Sequence, residues 1–239
     1  MVKTSEWHER ECGVPVRAGS VTLRGNLGIP EGAEGLVLFA HGSGSSRHSP
    51  RNRYVAQVLR QAGLATLLID LLTQSEEAVD RQTLHLRFDI NLLAQRLMGA
   101  TDWLLQNPAT CHLKIGYFGA STGSAAALVA AAERPEAVSA IVSRGGRPDL
   151  ASSVLDRVLA PTLLIVGGND IPVIAMNQEA LEQLRVEKQI EIVPGATHLF
   201  EEPGALERVA QLASQWFRKY LKTVQKQERT LKQGVGIGY

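Results

Sequence analysis

The chain has 239 residues, 44% of them hydrophobic and 21% charged, a globular composition that excludes disorder, collagen-like repeats and mucin-like stalks. Twenty-five basic residues against 24 acidic ones leave a net charge of +1, so nothing global marks a nucleic-acid or anionic-membrane binder. Cys12 and Cys111 show no C-x-x-C spacing, Met1 to Glu6 lack the apolar centre of a signal peptide, and no apolar run approaches the ~18 residues of a membrane span. The expectation is a cytoplasmic protein without disulfide framework, zinc ribbon or membrane contact.

In chain order, Val14 and Val16, then Val21 and Leu23, alternate with polar residues around Gly19-Ser20, which predicts an antiparallel hairpin. Leu36 to Ala40 is a continuous apolar run that ends in a glycine-rich loop. Tyr54 to Gln61 carries a helical apolar face and stops at Gly63. Leu64 to Ile69 is a second run, closed by Asp70. Thr73 to Leu84 is polar and reads as a flap or an ordinary exposed loop. A long helical pattern with Ile90, Leu93, Leu97 and Trp103 ends at Asn107-Pro108. Further runs follow at Ile115 to Phe118, Val138 to Val142, Leu163 to Val166 and Ile190 to Val193, with helical patterns between them and a last helix over Glu202 to Lys222.

Apolar runs alternating with helices predict an α/β chain whose mostly parallel sheet is covered on both faces, with the first hairpin added as an antiparallel edge. No long-period repeat or linker divides the chain, so residues 1–222 form one domain. The tail over residues 223–239 is basic and glycine-rich, reading as a solvated terminus. In such a sheet ligands bind beyond the carboxyl ends of the strands. The informative residues are therefore those just after each run.

Gly119-Ala120-Ser121-Thr122-Gly123 is G-x-S-x-G between a strand and a small-residue helix. A sharp strand-to-helix turn puts the serine at its apex, and the glycines remove side chains that would collide there. A serine needs a base oriented by a third group. His198 is the only histidine after Ser121, and it follows the last run at the ligand-binding edge. Asp170, ending Gly167-Gly168-Asn169-Asp170, is the preferred acid over its rival Asp149 because its reach from a strand is shorter. The backbone N–H groups of Thr122 and of Ser43, in the loop His41-Gly42-Ser43-Gly44, are the expected oxyanion donors.

With Ser121, Asp170, His198 and the His41 loop in place, the chain from about Val14 to Tyr220 resembles an α/β-hydrolase of the dienelactone-hydrolase-like group. The resemblance implies the α/β-hydrolase fold, with eight strands in a twisted sheet flanked by helices. The name-giving enzymes use a cysteine nucleophile, whereas this chain has Ser121, which turns the expectation toward a generic serine esterase. About twenty residues separate the fourth and fifth runs of the central sheet, too few for a large cap domain. The chemistry would be two-step acyl transfer on a small ester, lactone or thioester, with no metal or organic cofactor, by a monomer or homodimer.

His41, Arg47, Arg144 and Arg147 are the candidate substrate-binding residues. With His48, Arg51 and Arg53, the arginines would border one mouth and favour a carboxylate- or phosphate-bearing ester, unless they are solvated surface. Two other classes compete. Gly42-Ser43-Gly44 with Asp70 is similar to a dinucleotide-binding unit, although Arg47 stands at the third glycine position. A hydrolase fold serving as a non-catalytic binding module is the other.

Overall fold

The computed structural model describes residues 11–222, so the basic tail over residues 223–239 read from the sequence lies outside the described residues. Two strands, β1 (Glu11–Ala18) and β2 (Val21–Gly28), form the expected hairpin about Gly19-Ser20. The apolar runs become β3 (Leu36–Ala40), β4 (Ala65–Ile69), β5 (Ile115–Ala120), β6 (Val138–Arg144), β7 (Thr162–Gly167) and β8 (Lys188–Val193). They lie in the order β1-β2-β4-β3-β5-β6-β7-β8. The pairs from β4 to β8 are parallel, and the hairpin joins β4 antiparallel. The inner strands are buried almost throughout while β8 is an exposed edge. This is why the inner ones read as unbroken apolar runs.

Six α-helices cover the sheet: α1 (Pro50–Gln61), α2 (Gln74–Thr83), α3 (Ile90–Gln106), α4 (Thr122–Glu133), α5 (Ile171–Gln183) and α6 (Ala205–Leu221). One face of the sheet buries a core with α1 and α6, the other with α3, α4, α5 and a 3-10 segment over Pro148–Arg157. That segment links β6 to β7 without a cap domain. Among the described residues, no helix is long and apolar enough to cross a membrane.

Two elements depart from expectation. Helix α1 starts at Pro50, before Tyr54, because the Ser49 hydroxyl accepts from Asn52 N–H and proline suits the first helical position. The Thr73 to Leu84 stretch is a helix, not an irregular loop. Thr73 and Glu76 form a reciprocal capping box at its start, and Leu84 ends it at a φ of 58°.

Close backbone approaches position the layers. A methyl group on Gly99 of α3 would lie 2.6 Å from Ala18 Cα in β1, and one on Gly116 of β5 would lie 2.7 Å from the Phe217 ring of α6. Strand order does the rest. β3 has β4 on one side and β5 on the other, so the chain reverses direction across the sheet there and leaves a crevice at the carboxyl ends. Ala40 pairs with Gly119, which sets the His41 loop beside the start of α4. We expect Gly99→Ala to lower stability by about 1–3 kcal/mol through overpacking against β1, despite the better helix propensity of alanine. Thermal denaturation checks this; an unchanged Tm would mean that α3 can slide off the strand.

Candidate active site

Steric crowding dictates the turn from β5 into α4. A methyl group on Gly119 would sit 2.4 Å from Ser124 Cα, and one on Gly123 would sit 2.3 Å from the Ala40 carbonyl oxygen. Both positions therefore exclude a side chain. Between them Ser121 adopts φ 51° and ψ −122°. A non-glycine residue in such a conformation costs about 1–3 kcal/mol and persists only where the surroundings enforce it. Here Ser121 N–H donates to the Arg144 carbonyl (3.2 Å), and the Ser121 carbonyl accepts from Ser124 N–H (3.0 Å) and Arg147 N–H (3.2 Å). The serine is thus pinned at the N-terminus of α4, half-buried.

Asp170 stands at the start of α5, after β7, with its side chain 13% exposed. His198 follows β8. Its Nδ1 lies 2.6 Å from Asp170 Oδ2. The carboxylate can only accept, so Nδ1 carries the hydrogen and Nε2 is left with a free lone pair. The imidazole's Cε1 edge faces Gly145, where a methyl group would lie 3.5 Å away. Gly145 follows Arg144, whose carbonyl holds Ser121. On the other flank a methyl group on Gly42 would be 3.1 Å from Ser121 Cβ. Bare backbone thus brackets the serine and the imidazole. No Ser121–His198 hydrogen bond is closed among the described residues. Asp149, the rival acid, is engaged by Arg147 through two bonds (2.9 and 2.7 Å).

Several of the expected substrate and oxyanion residues are already engaged within the fold. Ser43 N–H donates to Thr122 Oγ1 (2.9 Å), so this donor is already engaged by the residue after the serine, and it is free only when the threonine hydroxyl turns away. His41 uses both ring nitrogens internally. Leu71 N–H donates to Nε2 (3.1 Å), and Nδ1–H donates to the Gly42 carbonyl (2.9 Å). It is a strut between the loop and the end of β4. Burial pushes its imidazole below the usual histidine value, partly offset by the Gly42 carbonyl and Asp70.

Arg47 is likewise consumed. Its N–H donates to Asp70 Oδ1 (2.9 Å), its Nε donates to Asn26 Oδ1 (3.1 Å), and its guanidinium pairs with Asp70 Oδ2. The same pairing takes the Asp70 carboxylate on which the dinucleotide reading relied. Arg147 is bound to Asp149, and Arg51 reaches Glu201 (2.8 Å). Arg144 alone among the named arginines of the mouth keeps a buried guanidinium without an acidic partner; Arg53 is exposed.

A cavity of about 240 Å3 opens between the His41–Ser46 loop and α2. Ser43, Ser45, Ser46 and Glu77 supply polar walls, and Leu71, Leu72 and Leu93 the apolar ones. Among the lining residues that sequence reasoning missed is Arg87. Buried Asp80 accepts from its N–H (3.1 Å) and its Nε (2.5 Å), and its Nη1 is within 3.3 Å of where a methyl group on Gly44 would lie. The capping box was the available signal, because it predicts the helix that carries Asp80.

Two expected outcomes follow from these ties. The folded state resists protonating His41, so the unfolded chain binds the extra proton near its ordinary value of 6.5. The His41 contribution is therefore intact above that pH and is lost as pH falls below it. Urea midpoints from pH 8 to 5 should fall more steeply for the wild type than for His41→Asn; parallel curves would exclude this role. Arg47→Gln should cost about 1–3 kcal/mol by leaving Asp70 poorly satisfied. It should slow neutral and anionic esters alike, and a selective rise in KM for anionic esters would restore Arg47 as a substrate contact.

Comparison with known proteins bears on this arrangement. The profile of the dienelactone hydrolase family matches residues 23–227. A crystal structure of a dienelactone hydrolase from Anabaena variabilis is 72% identical with a TM-score of 0.89, covering 90% of this chain and 99% of that one. Est1E from Butyrivibrio proteoclasticus, also solved with ferulic acid bound, reaches a TM-score of 0.73 at 14–15% identity over 87% of this chain and 98% of its own, a likeness of fold. Two Mycobacterium tuberculosis proteins whose names provisionally read phosphoribosyl transferase are 58% identical over 212 residues, 89% of this chain and 47% of theirs. The chain spans about half the length of these curated relatives.

Proposed function

Because the chain belongs to the dienelactone hydrolase family, we propose that it is a serine hydrolase that cleaves a small carboxylic ester or lactone through an acyl-enzyme on Ser121. The observation that carries this reading is the pairing of a strained, backbone-pinned serine with an imidazole whose Nδ1 is locked on Asp170. In this mechanism His198 Nε2 takes the proton of Ser121 as Oγ attacks the carbonyl carbon. A rotation of the serine or of the imidazole closes the hydrogen bond between them when substrate enters, in keeping with the looser contacts of ligand-free sites. Asp170 fixes the tautomer and stabilises the imidazolium.

The tetrahedral oxyanion is received by the N–H of Thr122 at the N-terminus of α4. When the threonine hydroxyl turns aside, Ser43 N–H becomes the second donor. His198 then protonates the leaving alkoxide, and a water molecule activated by the same imidazole hydrolyses the acyl-enzyme. The cavity beneath α2 borders Ser43 and takes the part of the substrate beyond the carbonyl. The ferulic acid held by Est1E illustrates the scale of ligand that this fold accommodates in a distant relative.

The test is an ester panel with a fluorophosphonate probe. Ser121→Ala should lose both labelling and turnover. His198→Gln and Asp170→Asn should each lower kcat by about 10^3- to 10^4-fold while leaving the fold intact. A wild-type protein that neither labels nor hydrolyses any ester in the panel would leave a binding module on a hydrolase fold.

A further inference from the structure

Arg144 ends β6, and its backbone carbonyl is the acceptor that pins Ser121. The residue is 7% exposed. A guanidinium has five N–H donors and keeps its charge, so burying it without an anion is costly. Yet Arg144 makes one hydrogen bond, a long one of 3.4 Å from Nη2 to Asn52 Oδ1, and its buried Nε has no partner. The ring of Phe200 lies 5.9 Å from Cζ, which offsets little of the cost. Burial, and then the nearby charge of Arg51, push its pKa down to about 10. Every other arginine named at the mouth is either exposed or paired with a carboxylate.

The location is specific. Asn52 is the third residue of α1, a 12-residue helix whose first turn contains no acidic side chain. Pro50 has no N–H and Ser49 takes the N–H groups of Asn52 and Arg53, so the helix N-terminus adds its positive end to the cationic field, not a row of free donors. Arg51 precedes Asn52 and is tied by Nη1 to Glu201, which is 64% exposed, while its own buried Nε also lacks a partner. Arg144 thus meets the start of α1 at Asn52, feels the charge of Arg51, and holds Ser121 through its own carbonyl.

We propose that Arg144, Arg51 and the first turn of α1 form a site for an oxyanion group, phosphate or carboxylate, carried by the substrate of Ser121. The substrate assignment rests on the hydrolase reading; the anion site itself does not. A doubly charged phosphate monoester matches the two guanidinium groups best, and a carboxylate engages Arg144 alone. Charge and a forked donor set then select an anionic ester over a neutral one of the same shape.

Calorimetric titration of the full chain with inorganic phosphate, and in parallel with acetate, tests the site. Phosphate should bind the wild type at one site and more tightly than acetate. Arg144→Met should weaken it by about 10- to 100-fold, the size expected for losing charge-assisted bonds. Arg144→Lys should recover part of that loss, Arg51→Gln should weaken binding by a smaller factor, and Arg147→Gln should leave it unchanged. Should Arg144→Met fail to fold, by its near-ultraviolet circular dichroism, the Arg51→Gln result decides alone. Absence of phosphate and acetate binding to the wild type, or binding that survives in folded Arg144→Met and in Arg51→Gln, overturns the site. Fluorophosphonate labelling of the same samples separates the two readings. Labelled protein that binds neither anion rejects the anion site and keeps the hydrolase. Unlabelled protein that binds phosphate through Arg144 keeps the anion site and rejects the substrate assignment.

Discussion

The crowding where β5 turns into α4 governs the rest of this molecule. Ser121 holds a positive φ because the space around it leaves no alternative: Gly119 runs against Ser124, Gly123 against the carbonyl of Ala40, and Gly42 against Ser121 itself. Each contact involves backbone or a Cβ fixed to it, which cannot swing away as the end of a flexible side chain would. The strain of the serine is therefore borne by the neighbouring strands, β3 through Ala40 and β6 through the Arg144 carbonyl. Two strands of the sheet and the helix after the serine fix one oxygen atom at the rim. The small residues of α4 belong to the same device, because buried Ala125, Ala126 and Ala127 let the helix approach closely enough to create the crowding.

Around this point the loops are held by side chains of catalytic type that are engaged within the fold. His41 joins the first loop to the end of β4 with both nitrogens, and Arg47 joins it to Asp70 and to Asn26 of β2. Asp80 fixes Arg87 over Gly44. These ties keep an otherwise glycine- and serine-rich loop in one conformation, which oxyanion stabilisation by preset dipoles requires. The engagement of Ser43 N–H by the Thr122 hydroxyl keeps a half-buried donor satisfied while no oxyanion is present, at the cost of a rotation when one forms. Arg144 departs from this pattern of internal pairing, and that departure gives its position beside the serine chemical meaning.

Much of the fold was legible because its strands are buried on both faces, so each appears as an apolar run whatever its neighbours. The hairpin was legible from alternation around Gly19-Ser20. Helix α2 was not, since its exposed Val79, its polar surface and its short length give little periodicity; only Thr73 and Glu76, three residues apart, marked its start. The residues of the candidate site were legible in kind because the turn at Ser121 admits so few residue types, and because a single histidine follows it. The preference for Asp170 over Asp149 rested on reach, and the structure supplies a separate reason, since Arg147 occupies Asp149.

The sequence by itself determined the layered parallel sheet, the glycine-bared turn and the candidate nucleophile, base and acid, because these depend on local sterics and on short-range hydrophobic pattern. Only the tertiary structure decided which charges are available. Arg47, Arg51, Arg144 and Arg147 are equivalent as letters; Arg147 pairs with Asp149 two residues along, the partners of Arg47 and Arg51, Asp70 and Glu201, come from other loops brought close by the fold, and Arg144 has no acidic partner. A cation's role depends on whether an anion lies within a few ångströms in a place shielded from water, and that distance is set by folding.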